Sequence, residues 1–240
     1  MENVPLTLAI AFGAITLLTL FFLLKAARWS RVAVIAMLLW SIALCAVSLT
    51  GFFTDTTGMP PRFTPVLVVP LLTIAALFAT RKGRDFLSSL DQPLLVLLNV
   101  IRVPVELALF SLFIHGAVPE LMTFEGRNWD ILSGLTAPFI WWFGYHKRML
   151  PRAVLIGWNI MCLALLFNIV INAILAAPVD FQQQAFDQPN IAIFYFPYVL
   201  LPGVVVPIVL FSHLVLLRSL MASTVEVQTS TSSVTGTSAR

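Results

Sequence analysis

Arg102 and Glu106 stand four residues apart inside the apolar stretch Leu94 to Gly126, with Asn99 on the same stripe. Residues three and four apart share a helix face, so the three side chains point the same way. An ionised group at the centre of a bilayer costs several kcal/mol, ~2.5–3.5 on insertion scales, so this face must meet other protein or a wet cavity. Two readings stay open. One is a structural clamp in which Arg102 and Glu106 pair and join a neighbouring helix carrying Asn159, Asn168 and Asn172, with hydrogen bonds across the helix interface. The other is a proton or substrate site at mid-membrane, with Glu106 as the coupling or substrate-contacting carboxylate and Arg102 holding it ready.

A second constellation follows in the chain. The stretch from His115 to Asp130 is dense in donors and acceptors: His115, Glu120, Glu125, Arg127, Asn128 and Asp130, to which other loops add Asp55, Arg62, Asp180, Gln182 and Asp187. Together they would line a polar vestibule. One imidazole with carboxylates can hold a divalent metal, and His115, Glu120 and Glu125 are the residues for it, but no HExxH or HxxxH spacing is present. No cofactor is expected on this basis. The alternative for the same residues is local: Asn128 capping the next helix, Asp130 in its first turn, and Glu125 paired with Arg127.

These side chains must be positioned by membrane helices. The chain of 240 residues is 59% hydrophobic and 10% charged, with a mean hydropathy of +0.95, against roughly 25% charged residues in a soluble domain. The net charge of +3 does not indicate nucleic acid, because the basic residues fall in short clusters between apolar runs. About 20 apolar residues cross the hydrocarbon core. Seven segments meet or approach that length: Pro5 to Leu24, Val32 to Phe53, Phe63 to Thr80, Pro93 to Gly116, Asp130 to Tyr145, Ala153 to Ala177 and Ile191 to Leu217. Seven crossings with the N-terminus outside and the C-terminus cytoplasmic put Lys25, Arg28, Arg31, Arg81, Lys82, Arg84, Lys147, Arg148, Arg152 and Arg218 on one side, and only Arg62 and Arg127 on the other. That division obeys the positive-inside rule at every loop.

The expected fold is therefore an all-α, polytopic bundle over residues 1–220, followed by a disordered Ser/Thr-rich tail over residues 221–240, whose composition cannot bury enough apolar surface to order itself. Asp91-Gln92-Pro93 and Asp187-Gln188-Pro189 each read as a helix start, a capping carboxylate followed by proline. Their recurrence at spans four and seven would fit an inverted repeat. The prolines at 197, 202 and 207 with Gly203 mark the last span as kinked. Cys45 and Cys162 sit in apolar runs and are read as packing residues. His146 and His213 are placed at the membrane face opposite His115.

The stretch Val118-Pro119-Glu120-Leu121-Met122-Thr123-Phe124-Glu125-Gly126-Arg127-Asn128, with Phe186-Asp187-Gln188-Pro189-Asn190 and Phe211-Ser212-His213, resembles a family of bacterial multi-pass membrane proteins of about this length. The resemblance covers most of the chain except its tail. It implies a bacterial inner-membrane protein and brings no activity with it. Better-known seven-span families do not fit: no lysine stands mid-span for a retinal Schiff base, and neither the Pro-Gln signature of small sugar transporters nor the histidine pair of ceramidase-like zinc hydrolases is present.

The leading expectation is a membrane protein that binds or transports a small molecule, ion or lipid headgroup through an outward-facing vestibule and the Arg102 and Glu106 face. Two alternatives remain: a membrane-embedded hydrolase acting on lipid at the outer interface through His115 with Glu120 or Glu125, and a structural subunit docking a periplasmic partner.

Overall fold

Apolar runs become helices here because a backbone inside hydrocarbon must satisfy its own hydrogen bonds. The computed structural model describes residue 1 and residues 3–235, with side chains described to residue 222. It is all-helical, with no strand among the described residues. The α-helices run α1 Leu6–Ala26, α2 Arg31–Leu49, α3 Thr64–Ala79, α4 Arg81–Ser89, α5 Gln92–Leu98, α6 Arg102–Ile114, α7 Ile131–Phe139, α8 Arg152–Leu175 and α9 Val206–Thr235. A 3-10 turn, Asn99–Ile101, joins α5 to α6. α7 widens into a π-helix, Ile140–His146, and another, Leu201–Val205, leads into α9. The tail expected over residues 221–240 falls outside the described side chains from residue 223 onward.

Among the described residues, five helical stretches are long and apolar enough to cross a membrane: Leu6–Ala26, Arg31–Leu49, Gln92–Ile114, Arg152–Leu175 and Leu201–Ala222. A sixth is a bent pair, α3 and α4, which meet at 93°. The third expected span therefore turns where it was expected to end. Thr80 Oγ1 accepts the Gly83 N–H at 3.2 Å and starts α4, while Arg84 donates to the Phe78 and Ala79 carbonyls that finish α3. Only glycine fits at position 83, because a Cβ would lie 2.2 Å from the Leu77 carbonyl oxygen. The fifth expected span is the helical run 131–146, too short to qualify among those five.

The last span also starts later than its apolar run does. Ala192–Phe194 is a 3-10 turn, and the continuous helical stretch begins with the π-helix at Leu201 and becomes regular at Val206. Neither Pro197 nor Pro202 has an N–H to donate, which suits a helix start better than a helix interior. Asp91 caps α5 as expected, its Oδ1 accepting the Leu94 N–H at 3.0 Å. Asp187-Gln188-Pro189 opens no helix; instead the Gln188 amide donates to the Phe113 and Val118 carbonyls at 2.9 and 2.6 Å. The two tripeptides thus play different parts.

In the most apolar part of Gln92–Ile114 and of Leu201–Ala222 56% is buried, against 11% in that of Arg31–Leu49, which identifies centre and periphery. α5 and α6 pack against α1, α7 and α9, and α8 packs against α9. α2 and α3 form an outer layer, with Leu44 and Ser48 buried on the first and Val66 on the second. In the core Phe12 of α1 is fully buried, its ring 5.3 Å from that of Tyr198. Phe12→Ala is expected to destabilise the protein in detergent by ~3–5 kcal/mol. Leu39→Ala, on the exposed face of α2, should change stability by no more than about 0.5 kcal/mol. Denaturant unfolding checks both, and equal losses would contradict this layering.

Candidate functional site

Pro104 has no N–H for the Val100 carbonyl, and the helix tightens just before it into the 3-10 turn Asn99–Ile101. The Asn99 amide donates to the Leu95 carbonyl at 3.0 Å, bracing the break. α7 closes on this joint at Gly134, where a Cβ would lie 2.9 Å from the Val103 nitrogen and 3.3 Å from the Arg102 Cβ. That close approach fixes the site. Asp130 stands four residues before Gly134, so the contact that admits the glycine also brings the Asp130 carboxylate onto Arg102.

Arg102 Nε lies 3.1 Å from Asp130 Oδ2, an ion pair whose N–H does not point along the contact. The Arg102 Nη2 donates to the Cys162 carbonyl of α8 at 3.3 Å. Glu106 is held by the loop before α7: Asn128 Nδ2 donates to Glu106 Oε1 at 2.5 Å and to the Met122 carbonyl at 3.1 Å. Asn128 Oδ1 accepts the Asp130 N–H at 3.1 Å, so this one amide both turns the chain into α7 and grips the carboxylate. Arg102 therefore pairs with Asp130 and not with Glu106. The i, i+4 spacing places both on one face, but it is the neighbouring elements that supply their partners.

Exposure of Glu106, Arg102 and Asp130 is 1%, 2% and 5%, so three ionisable groups are withdrawn from solvent together. Arg102 Nη1, Glu106 Oε2 and Asp130 Oδ1 have no protein hydrogen-bond partner. Glu106 and Asp130 line a cavity of about 80 Å³ whose other walls, including Leu109, Met122, Leu166 and Leu201, are apolar. A water needs ~10–15 Å³ measured this way, so the space admits a few waters or one small cation.

A second buried polar pair sits beside the first. The His213 Nδ1 lies 2.8 Å from Asn159 Oδ1, and the Asn159 amide donates to the Leu155 carbonyl at 2.8 Å. His213 is fully buried, with no partner at Nε2. Asn159 and Cys162 are three residues apart on α8, so His213 and Arg102 meet the same face of that helix. The apolar run from Ile191 to Leu217 places His213 close to its end, at a membrane face. With the stretch running from Leu201 to Ala222, His213 falls near its middle. The signal was present in the apolar residues that continue on both sides of Ser212-His213.

The remaining expected site residues do not converge on this cavity. His115 is half-buried, its Nδ1 2.7 Å from the Ser111 carbonyl one turn back, and Glu120, Glu125, Arg127 and Asp187 are exposed. The expected Glu125–Arg127 pair is not among the ion pairs of the described residues. Asn168 donates to the Arg127 backbone carbonyl at 2.9 Å, and Asn172 to the Asn168 carbonyl at 2.9 Å. Gln184 donates to Asn172 Oδ1 at 3.0 Å, so these asparagines tie two loops to α8 and do not partner Arg102. Asp55 and Arg62 form an exposed pair at 2.6 Å. Hydrogen bonds from Thr57, with a smaller contribution from Arg62, hold the Asp55 carboxyl below its usual value. Among the described residues no three His, Cys, Asp or Glu side chains are grouped to hold a metal ion.

The Arg102–Asp130 contact has a measurable signature. Arg102→Met alone leaves a buried carboxylate unpaired and is expected to cost ~3–5 kcal/mol of stability. Combined with Asp130→Asn it should lose less than the sum of the two single variants by about 1–3 kcal/mol. Unfolding of the four proteins in detergent checks this, and strict additivity would show that the two groups are uncoupled. Comparison of the chain with protein-family models, with curated proteins and with solved structures finds no match.

Proposed function

We propose that the chain is a seven-crossing protein of a bacterial cytoplasmic membrane, with its N-terminus outside, that binds and passes a proton or a small cation through the Glu106 cavity. The observation that carries the reading is the pair of carboxylate oxygens, Glu106 Oε2 and Asp130 Oδ1, left without protein partners on side chains that line a small cavity with otherwise apolar walls. Two carboxylates against one guanidinium leave a net charge of −1 when all three are ionised. Such a cluster attracts a positive charge and repels an anion. The uneven division of Lys and Arg between the loops supports the orientation.

In this reading the side chains have separate tasks. Arg102 neutralises Asp130 and keeps it in place. Asn128 fixes one oxygen of Glu106, leaving the other to take up the proton or cation, so Glu106 is the group whose charge changes with occupancy. The wall formed by Leu201 and Pro202 belongs to the π-helix that leads into α9. A π-turn replaces regular i→i−4 bonds and is a natural place for a helix to rearrange. That segment is the gate.

Proteoliposomes carrying an imposed membrane potential, with a pH-sensitive dye inside and Na⁺ or K⁺ outside, test the reading. Wild type is expected to give proton or cation flux, Glu106→Gln to reduce it at least about tenfold, and Glu106→Asp to retain part of it. Equal flux in wild type and Glu106→Gln, or none above empty liposomes in wild type, would contradict it.

A further inference from the structure

Away from the Glu106 cavity, a cleft of about 720 Å³ opens between α2, α3 and the start of α9. Its volume lies within the ~300–1,000 Å³ range of ligand pockets. Deep in the cleft the surface is hydrocarbon, and its polar side chains there are already engaged. Thr73 donates to the Val69 carbonyl at 2.8 Å, and Trp40 Nε1 donates to the Gly203 carbonyl at 2.8 Å. A sugar, peptide or nucleotide would find no partners there. An alkyl chain needs none.

The mouth has the opposite character. Lys82 lines it, with Ser30, Val32 and Thr80, so Arg31 is bracketed by two mouth residues and Arg81 stands between Thr80 and Lys82. All three cations are exposed. The ion pairs of the described residues, Asp55–Arg62 and Arg102–Asp130, involve none of them. Arg84, by contrast, is used up on the Phe78 and Ala79 carbonyls. From Thr80 to Val69 the cleft follows α3 for 11 residues, roughly 16 Å at 1.5 Å per residue. That is about half of a ~30 Å hydrocarbon core, the depth of one leaflet. α4 turns away from α3 at 93° just at the mouth, as a basic helix lying in the headgroup layer would.

We propose that this cleft holds an acyl chain of an anionic phospholipid from the adjacent leaflet, its phosphate met at the mouth by Arg31, Arg81 and Lys82. The charge and the depth together select this occupant: a zwitterionic lipid brings a cation of its own that offsets its phosphate, so the three cations favour a headgroup with net negative charge, and an anion without a chain would leave the cleft unfilled.

The full-length protein, purified from vesicles of equal phosphatidylglycerol and phosphatidylcholine, is analysed by native mass spectrometry for retained lipid. Wild type is expected to retain phosphatidylglycerol over phosphatidylcholine by about tenfold, and Arg31→Gln with Lys82→Gln to bring the ratio close to one. Ala36→Trp and Ala76→Trp, both at exposed positions in the cleft, should abolish retention while leaving the thermal midpoint unchanged. Equal retention of the two lipids by wild type overturns the proposal. So does anionic preference that survives in the tryptophan variants, which would be attraction to the basic surface alone.

Discussion

Burying three ionisable groups in one place is the constraint around which the rest of this molecule is arranged. Desolvating each ion carries an effective penalty of several kcal/mol, and water is absent from the bilayer core to share it. Arg102 can occupy the centre because α7 brings Asp130 to 3.1 Å and α8 offers the Cys162 carbonyl. Glu106 can do so because the loop before α7 reaches down to present Asn128. Irregular backbone at that depth is tolerable only when enclosed by protein, and Met122, Thr123 and Asn128 of that loop are all buried. The glycine at position 134 is the steric counterpart of this electrostatic demand, since any side chain there would push α7 away from the Arg102 turn.

Irregular helix collects near the same centre. The 3-10 turn Asn99–Ile101 packs against α7, the π-helix Ile140–His146 against α5, and the π-helix Leu201–Val205 against α1 and α3. Each gives up regular i→i−4 bonding beside or within a helix that the core buries. Departures of this kind recur where membrane helices are interrupted around bound ions. The outer layer contrasts with this centre: α2 and α3 bury few side chains and enclose hydrocarbon-lined space next to an exposed basic rim.

Much of the site could be read from residue types and spacing, because burial of charge in an apolar run is a severe and local signal. Arg102 and Glu106 are enclosed, and Asn128 and Asp130, singled out in the following loop, are their partners. The pairing itself was not legible. Helical spacing reports which side chains share a face, whereas Arg102 is matched across helices by a contact that depends on Gly134. Asn159 was expected among the partners of Arg102 and instead meets His213, which was placed at the surface because an apolar run does not reveal where its helical part begins. The third and fifth expected spans coincide with the helical runs 64–79 and 131–146 to within one residue, but both are short for a crossing, and at the end of the third the Thr80 cap and the Arg84 contacts turn the chain by 93° into α4. His115, Glu120, Glu125 and Asp187 looked like a site because loop acids cluster in sequence, and solvent keeps most of them apart.

Infrared difference spectroscopy of carboxyl-labelled protein in lipid, recorded while pH is varied and then while Na⁺ or K⁺ is added, addresses the central claim directly. If Glu106 faces an accessible cavity with one free oxygen, its carboxyl band titrates reversibly, responds to the cation and is missing from Glu106→Gln. A spectrum in which no band assigned to Glu106 responds to protons or to either ion would show a sealed structural contact, and the account of this core as an ion site would be wrong.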